Sequence, residues 1–262
     1  MFKKVLYATD LSESSLAIVD MLPDFKCLGI EEVVVLRVIN LTRIMGISGF
    51  DVNAYIKALE EESLPKLREI CEKINGMGYS AKLIPPPAGD PVGEIVRVAK
   101  EEGVDMIVMG SRGRSTVKAI LLGSTAEGVV RKADIPVMVC KNKVSPFSRI
   151  LYAYDFTESS EKVKGYVKFV AKSCASKVVV AHILEKGEIV EEDRLDRIEQ
   201  EFGEEGIEVK IVIGEGSPAK EIVRVAEVEN ANSIFVGKGK KGILGSTSDY
   251  VIRYSKVPVF VA

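Results

Sequence analysis

The residues best suited to chemistry in this sequence are glycines. Gly110, Gly113 and Gly123, followed by Ser124 and Thr125, lie between a strand-like run, DMIVM, and a helix-like run, TAEGVVRK. Glycine reaches positive φ without strain and lets a ligand approach the backbone without meeting a Cβ, and the N–H groups at a helix start attract anions. The spacing G-x2-G-x9-G-S therefore suits a phosphate cradle, although three glycines that only punctuate a strand-to-helix connection would look the same in isolation. Arg112, inside this loop, reads equally as a two-pronged grip on phosphate or as a solvated surface arginine. Asp10, after the run KVLYAT, reads as a helix cap for DLSES, as a ligand contact, or as both.

Other chemistries find less support. The sole histidine, His182, closes the run KVVVAHIL and reads as a satisfied side chain near the sheet edge; no histidine-rich cluster marks a metal site. The stretch GKGKKG at 237–242 matches G-x-G-x-x-G, but it follows the fourth strand of its repeat. No Asp or Glu occurs beyond Asp249 to hold a ribose, so it is not a dinucleotide fingerprint. Ile243 stands where a P-loop needs lysine. The four cysteines, Cys27, Cys71, Cys140 and Cys174, show no metal spacing; they read as small buried apolar residues in a reducing compartment, without a disulfide framework. The acidic run 188–205 places Ile189, Leu195, Ile198 and Phe202 at helical spacing, which reads as a solvated helix with one buried face.

The elements that must position the glycines occur twice. KKVLYATDLSESS (3–15) returns as SRILYAYDFTESS (148–160), GDPVGEIVRVAKEEGVDMIVMGS (89–111) as GSPAKEIVRVAEVENANSIFVGK (216–238), and LLGSTAEGVVRKADIPVMVC (121–140) as ILGSTSDYVIRYSKVPVFVA (243–262). The second copy is shorter by about 18 residues in its middle and about 5 in the glycine loop. In each copy, β-branched apolar runs alternate with amphipathic helical stretches, a pattern that predicts a five-stranded parallel sheet flanked by helices. Ile56, Leu59, Ser63, Leu67, Ile70 and Ile74 form one helical stripe with a polar exception. Asp90 reads as a cap before Pro91. The segment KNKVSPFS (141–148) is the join, giving domains at 1–143 and 147–262.

With 47% hydrophobic and 28% charged residues the composition is that of an ordinary globular protein. A formal net charge of −2 supplies no overall basic field for nucleic acid or an acidic membrane. The N-terminal residues lack the apolar run of a signal peptide or membrane helix, so the expected location is the cytoplasm.

The glycine spacing, the Asp after the first strand and the Pro before the last strand resemble the ATP-binding class of universal stress proteins, across essentially the whole chain as two fused domains. That resemblance implies α/β, Rossmann-like units of the adenine nucleotide alpha hydrolase type. It also implies an adenine nucleotide, ATP or AMP, with Mg²⁺ able to accompany it. Carried over by position, Gly110, Gly113, Gly123, Ser124 and Thr125 would meet phosphates and ribose, Ala8, Thr9 and Asp10 the adenosine, and Val38 the base; Arg112 replaces a frequent histidine and Ala8 a frequent proline. In the second copy the counterparts are Ala153, Asp155, Ile183, Gly237, Lys238, Gly245, Ser246 and Thr247. There Lys240 stands opposite Gly113, so the cradle is damaged for a triphosphate. Lys238, Lys240 and Lys241 could still neutralise a shorter anion, or the copy could be structural only. The implied function is a nucleotide-dependent regulatory binding protein without a catalytic residue. The alternatives are slow ATP hydrolysis or self-phosphorylation at Ser124 or Thr125, and a ligand-free scaffold. The family's habit of pairing last strands implies that PVMVC and PVFVA join the copies as an internal pseudo-dimer, and that chains form homodimers.

Overall fold

The computed structural model describes residues 2–42, 51–111, 122–141, 144–190, 192–239 and 244–262. The first half runs β1 (Lys4–Ala8), α1 (Glu13–Leu16), a 3-10 run (Val19–Leu28), β2 (Glu32–Leu36), β3 (Ile39–Asn40), α2 (Val52–Gly76), β4 (Ser80–Leu83), β5 (Ala88–Gly89), α3 (Pro91–Glu101), β6 (Met106–Gly110), α4 (Ser124–Lys132) and β7 (Val137–Cys140). The second half runs β8 (Arg149–Ala153), α5 (Glu158–Cys174), β9 (Lys177–Leu184), α6 (Glu192–Gly203), β10 (Val209–Glu215), α7 (Pro218–Val228), β11 (Ser233–Val236), α8 (Ser246–Tyr254) and β12 (Val259–Val261).

Each half contributes five parallel strands, in the order β4-β2-β1-β6-β7 and β10-β9-β8-β11-β12. The fifth strands then pair antiparallel, Val259 with Val139, Phe260 with Met138 and Val261 with Val137, which fuses the halves into one ten-stranded sheet. Both fifth strands are wholly buried, as expected of residues covered on both faces. Successive side chains alternate across the sheet. Val5 and Tyr7 join an aromatic layer with Phe25, Tyr152, Phe202 and Phe260, while Leu6 and Ala8 join an aliphatic layer with Leu36, Val129, Ile234 and Val251.

Both layers continue across the junction. On the aromatic side, Phe2 stands 5.7 Å from the rings of Tyr166 and Phe169, and Phe25 lies 5.0 Å from Phe147. On the other side, α4 and α8 present matching pairs: Arg253 bonds Glu127 at 2.6 Å and Asp249 at 2.7 Å, and Arg131 bonds Glu127 at 3.1 Å and Asp249 at 3.2 Å.

Several local expectations hold, with their physical basis visible. Asp90 accepts from Gly93 N at 2.9 Å ahead of Pro91. Ser63, the polar exception of the α2 stripe, is buried with Leu67, Ile70 and Ile74 and donates to Leu59 O at 2.6 Å. The helix after β1 starts at the Ser12 cap and ends at Leu16, where a 3-10 run containing Pro23 takes over, whereas its counterpart α5 is one continuous helix. Another expectation fails. Ile189 lies outside α6 and is 87% exposed, so only Leu195, Ile198 and Phe202 form that buried face.

The cysteine reading also fails. Cys27, in the 3-10 run of the first half, and Cys174, at the end of α5 in the second, form a disulfide across the junction with a Cα–Cα distance of 5.0 Å. They are half-buried rather than core residues; only Cys140 of the four is fully buried. The pairing was illegible because 147 residues separate the two cysteines, and only the stacking of the 3-10 run on α5 brings them together.

Candidate functional site

The order within each half places the chain's change of direction between the first and fourth strands, where parallel α/β sheets open a crevice at the carboxyl ends. In the first half Ala8 ends β1 between Leu36 of β2 and Met109 of β6, so Thr9, Asp10, Val38 and Gly110 emerge at one sheet edge. Thr9 N extends the ladder to Leu36 O at 2.9 Å. The chain then turns through Leu11, at φ 60, while Asp10 Oδ1 accepts from Ser12 N at 3.0 Å and Ser12 Oγ at 2.5 Å. Ser12, not Asp10, is the helix cap. The Tyr7 phenol donates to Ser15 O at 2.7 Å, and its burial pushes its pKa well above the usual range, keeping the donor proton.

The second half reproduces this corner. Asp155 Oδ1 accepts from Thr157 N at 3.1 Å and Thr157 Oγ1 at 2.6 Å, Phe156 takes φ 59, and buried Tyr152 donates to Ser160 O at 2.7 Å. Thr157 caps α5. Two sequences that differ at Leu11 and Phe156 thus make one backbone turn.

The glycine loops close in the same way. Gly123 N donates to Ser111 O, and Gly245 N to Lys238 O, both at 2.8 Å. Gly123 and Gly245 are the N-caps of α4 and α8, and neither helix start carries a side-chain cap; α7, begun by Ser217, lacks one too, whereas α1, α2, α3 and α5 have one. Among the described residues, no cap satisfies the first-turn amides at Ser124–Thr125 and Ser246–Thr247, a condition suited to an anion. Arg112, Gly113, Lys240 and Lys241 lie outside the described residues.

In the second half these parts line a cavity of about 1300 Å³. Ala153, Asp155, Ile183, Gly237, Lys238, Gly245, Ser246 and Thr247 all border it, and its far wall comes from the first half through Ala133, Pro136 and Val137. A Cβ on Gly237 would lie 2.9 Å from the Ser159 carbonyl carbon, so the loop can lie against the start of α5 only with glycine there. Ser159 Oγ accepts from Gly239 N at 3.0 Å, with Gly239 at φ 120, and Ser248 Oγ donates to Gly237 O at 2.6 Å. The second glycine of GKGKKG thus serves a left-handed turn.

Lys238 departs from its expected role as a neutraliser of anions. Its Nζ donates to Ala133 O, at the C-terminal end of α4, at 2.6 Å, and burial holds its pKa below the usual lysine value. Lys141 returns the contact from the other half, donating to Arg253 O at 3.1 Å and Ser255 O at 2.7 Å at the end of α8. His182 is buried with Nδ1 2.8 Å from Tyr154 O, as read from the sequence. Ser159 and Gly214 were not foreseen. A Cβ at Gly214 would fall 2.8 Å from Ile183 Cδ1, so this strand glycine makes room for a cavity residue. Its place at the end of the β-branched run IVI was the available signal.

A tandem pair of parallel α/β units, each with a glycine-started helix at the carboxyl edge of its sheet, defines the structural class. A sequence profile of the Universal stress protein family matches residues 1–141 and again 146–262. The chain belongs to that family, in a tandem two-domain form. Universal stress protein MJ0577 of Methanocaldococcus jannaschii is 37% identical over 160 residues, 55% of this chain and 98% of that protein. YxiE of Bacillus subtilis is 30% identical over 149 residues, 54% of this chain and 100% of its own. A crystal structure of a universal stress protein from Archaeoglobus fulgidus superposes with a TM-score of 0.85 at 42% identity, covering 99% of this chain and 97% of that one.

Proposed function

We propose that this chain binds adenine nucleotide at the carboxyl edge of each half-sheet and acts as a nucleotide-dependent regulatory protein of the cytoplasm rather than as an enzyme. The observation that carries the reading is the duplicated corner: an Asp-held turn after the first strand faces a helix whose glycine start leaves its first-turn amides uncapped. Amides and glycine backbone suit phosphate, Asp10 and Asp155 suit ribose hydroxyls, and small Ala8 and Ala153 leave space for the nucleoside. Val38 and Ile183 would flank the base. ATP suits the longer loop of the first half, and the second, five residues shorter, suits AMP better; Mg²⁺ would travel with the phosphates.

In this reading the domains are 1–143 and 147–262, joined as an internal pseudo-dimer, and chains associate further into homodimers. Occupancy would act by favouring one of two conformations, which requires unequal affinity for them. Ser124 is exposed at the first turn of α4, which favours self-phosphorylation there as the second reading.

The test is to release and identify by mass spectrometry any small molecule that copurifies with the chain, count equivalents, and titrate ATP and AMP calorimetrically. One or two equivalents per chain support the reading. No copurifying nucleotide together with no heat on titration overturns it in favour of a scaffold. Radiolabel transfer from ATP that disappears in Ser124→Ala would instead establish the second reading.

A further inference from the structure

We propose that the Cys27–Cys174 disulfide is a reversible thiol–disulfide exchange site whose state sets the position of α5, and through it the ligand corner of the second half. The part concerning the ligand corner rests on the function proposed above. The bond joins the first half's 3-10 run to the last residue of α5. The first turn of that same helix carries Ser159, which packs on Gly237 and bonds Gly239 beside the cavity. One end of α5 is thus tied to the other half of the molecule, and the other end shapes the site.

The bond is placed for exchange as well as for holding the fold. Both cysteines are half-buried, packed at the margin of the aromatic layer rather than inside it, so a small dithiol has a shorter way to them than to buried Cys140. Each terminates its element at a left-handed residue: Gly29, at φ 76, caps the 3-10 run shortly after Cys27, and Ala175, at φ 52, follows Cys174. Movement there is absorbed by ends rather than interiors. The halves remain joined without it through β7–β12 and through Phe2, Tyr166, Phe25 and Phe147. The remaining thiols compete poorly: Cys140 is buried with its pKa pushed up to about 12, and burial also raises that of Cys71.

The exchange balances as a two-electron reduction. A thiolate of a dithiol reductant attacks one sulfur, the Cys27–Cys174 bond breaks, and a mixed disulfide forms while the departing thiolate takes a proton. The second thiol of the reductant then displaces the other cysteine, leaving two protein thiols and a cyclic oxidised reductant. Oxidised glutathione reverses the process.

The experiment uses the full chain, equilibrated in glutathione or dithiothreitol buffers of graded potential, with the fraction of oxidised protein read by alkylation and mass. Oxidised and reduced wild type are then compared by thermal melting, by hydrogen exchange of the first turn of α5 and of Gly239, and by ATP and AMP calorimetry. The proposal expects reversible titration, a melting midpoint about 5–15 °C lower on reduction, faster exchange at those amides, and nucleotide binding in the second half weakened about fivefold or more. Cys27→Ser/Cys174→Ser should match the reduced form in both redox states. A bond that stays closed in excess dithiothreitol, or opens with no change of exchange at Ser159 and Gly239, overturns the proposal. If neither form binds nucleotide while the exchange difference persists, the functional reading fails and the redox coupling to α5 stands.

Discussion

At the scale of single residues, the two glycines Gly237 and Gly165 separate a required glycine from a tolerated one. Gly237→Ala forces a Cβ against the Ser159 backbone and should cost about 1–3 kcal/mol. Gly165, in the exposed interior of α5 with nothing within 4 Å of its would-be Cβ, should gain about 0.5–1 kcal/mol as alanine. Chemical denaturation of both variants checks the pair, and a neutral Gly237→Ala would contradict the packing described. The sequence showed which glycines open the helices, because spacing repeats between the copies. It did not show which way Lys238 turns. A lysine between glycines reads as an anion ligand until the C-terminal end of α4 is seen within reach. The role of Asp10 was half legible: the turn it holds is a short-range event, but assigning the cap to Ser12 needed the hydrogen bonds themselves.

At the scale of elements, α5 and α6 are laced by a ladder of lysines and glutamates. Lys164 of α5 holds Glu201 of α6 at 2.7 Å, and Lys168 and Lys172 hold Glu205, two residues past the end of α6, at 2.9 and 2.8 Å; these bonds lower the Glu205 pKa to about 2. The sign follows from linkage: a carboxylate whose folded pKa is depressed adds stability above its unfolded value, and that stability is lost as pH falls toward about 2. Melting midpoints between pH 5 and 2 should therefore fall less steeply in Glu205→Gln than in wild type. High salt should erase the difference, since the group is at the surface. An identical slope in low salt would remove the ladder from the account of acid stability. Secondary structure was largely legible at this scale because helical stripes such as 63–74 carry their own period. The switch from α1 to the 3-10 run was not, because DLSES marks where that helix begins and not where it ends.

At the scale of the whole molecule, Phe260 sits where the halves meet, 6.2 Å from Phe2 of the first half and 5.3 Å and 4.5 Å from Tyr166 and Phe235 of the second. Phe260→Ala should cost about 3–5 kcal/mol and lower a single calorimetric transition. Two resolved transitions in wild type would show instead that the halves melt independently. The repeat announced two units, each a five-stranded parallel sheet, since alternating strands and helices admit few connections. The disulfide, the paired lysines Lys141 and Lys238 and the α4–α8 charges all depend on how one unit docks on the other, and side chains far apart in the chain leave no periodic trace of that.

The antiparallel seam between β7 and β12 has a further consequence for how the molecule can change over time. In an assembly of two identical chains every substitution appears on both sides of the axis, and dilution pulls the partners apart. Here the partner is tethered, so association is an intramolecular event independent of concentration. Each side is also written separately in the sequence, and one half can shorten its glycine loop, place tyrosine at 154 where the other keeps Thr9, or recruit Lys238 where the other has Ser111, without imposing the same change on its twin. The seam holds the symmetry of the sheet while freeing its two carboxyl edges to diverge.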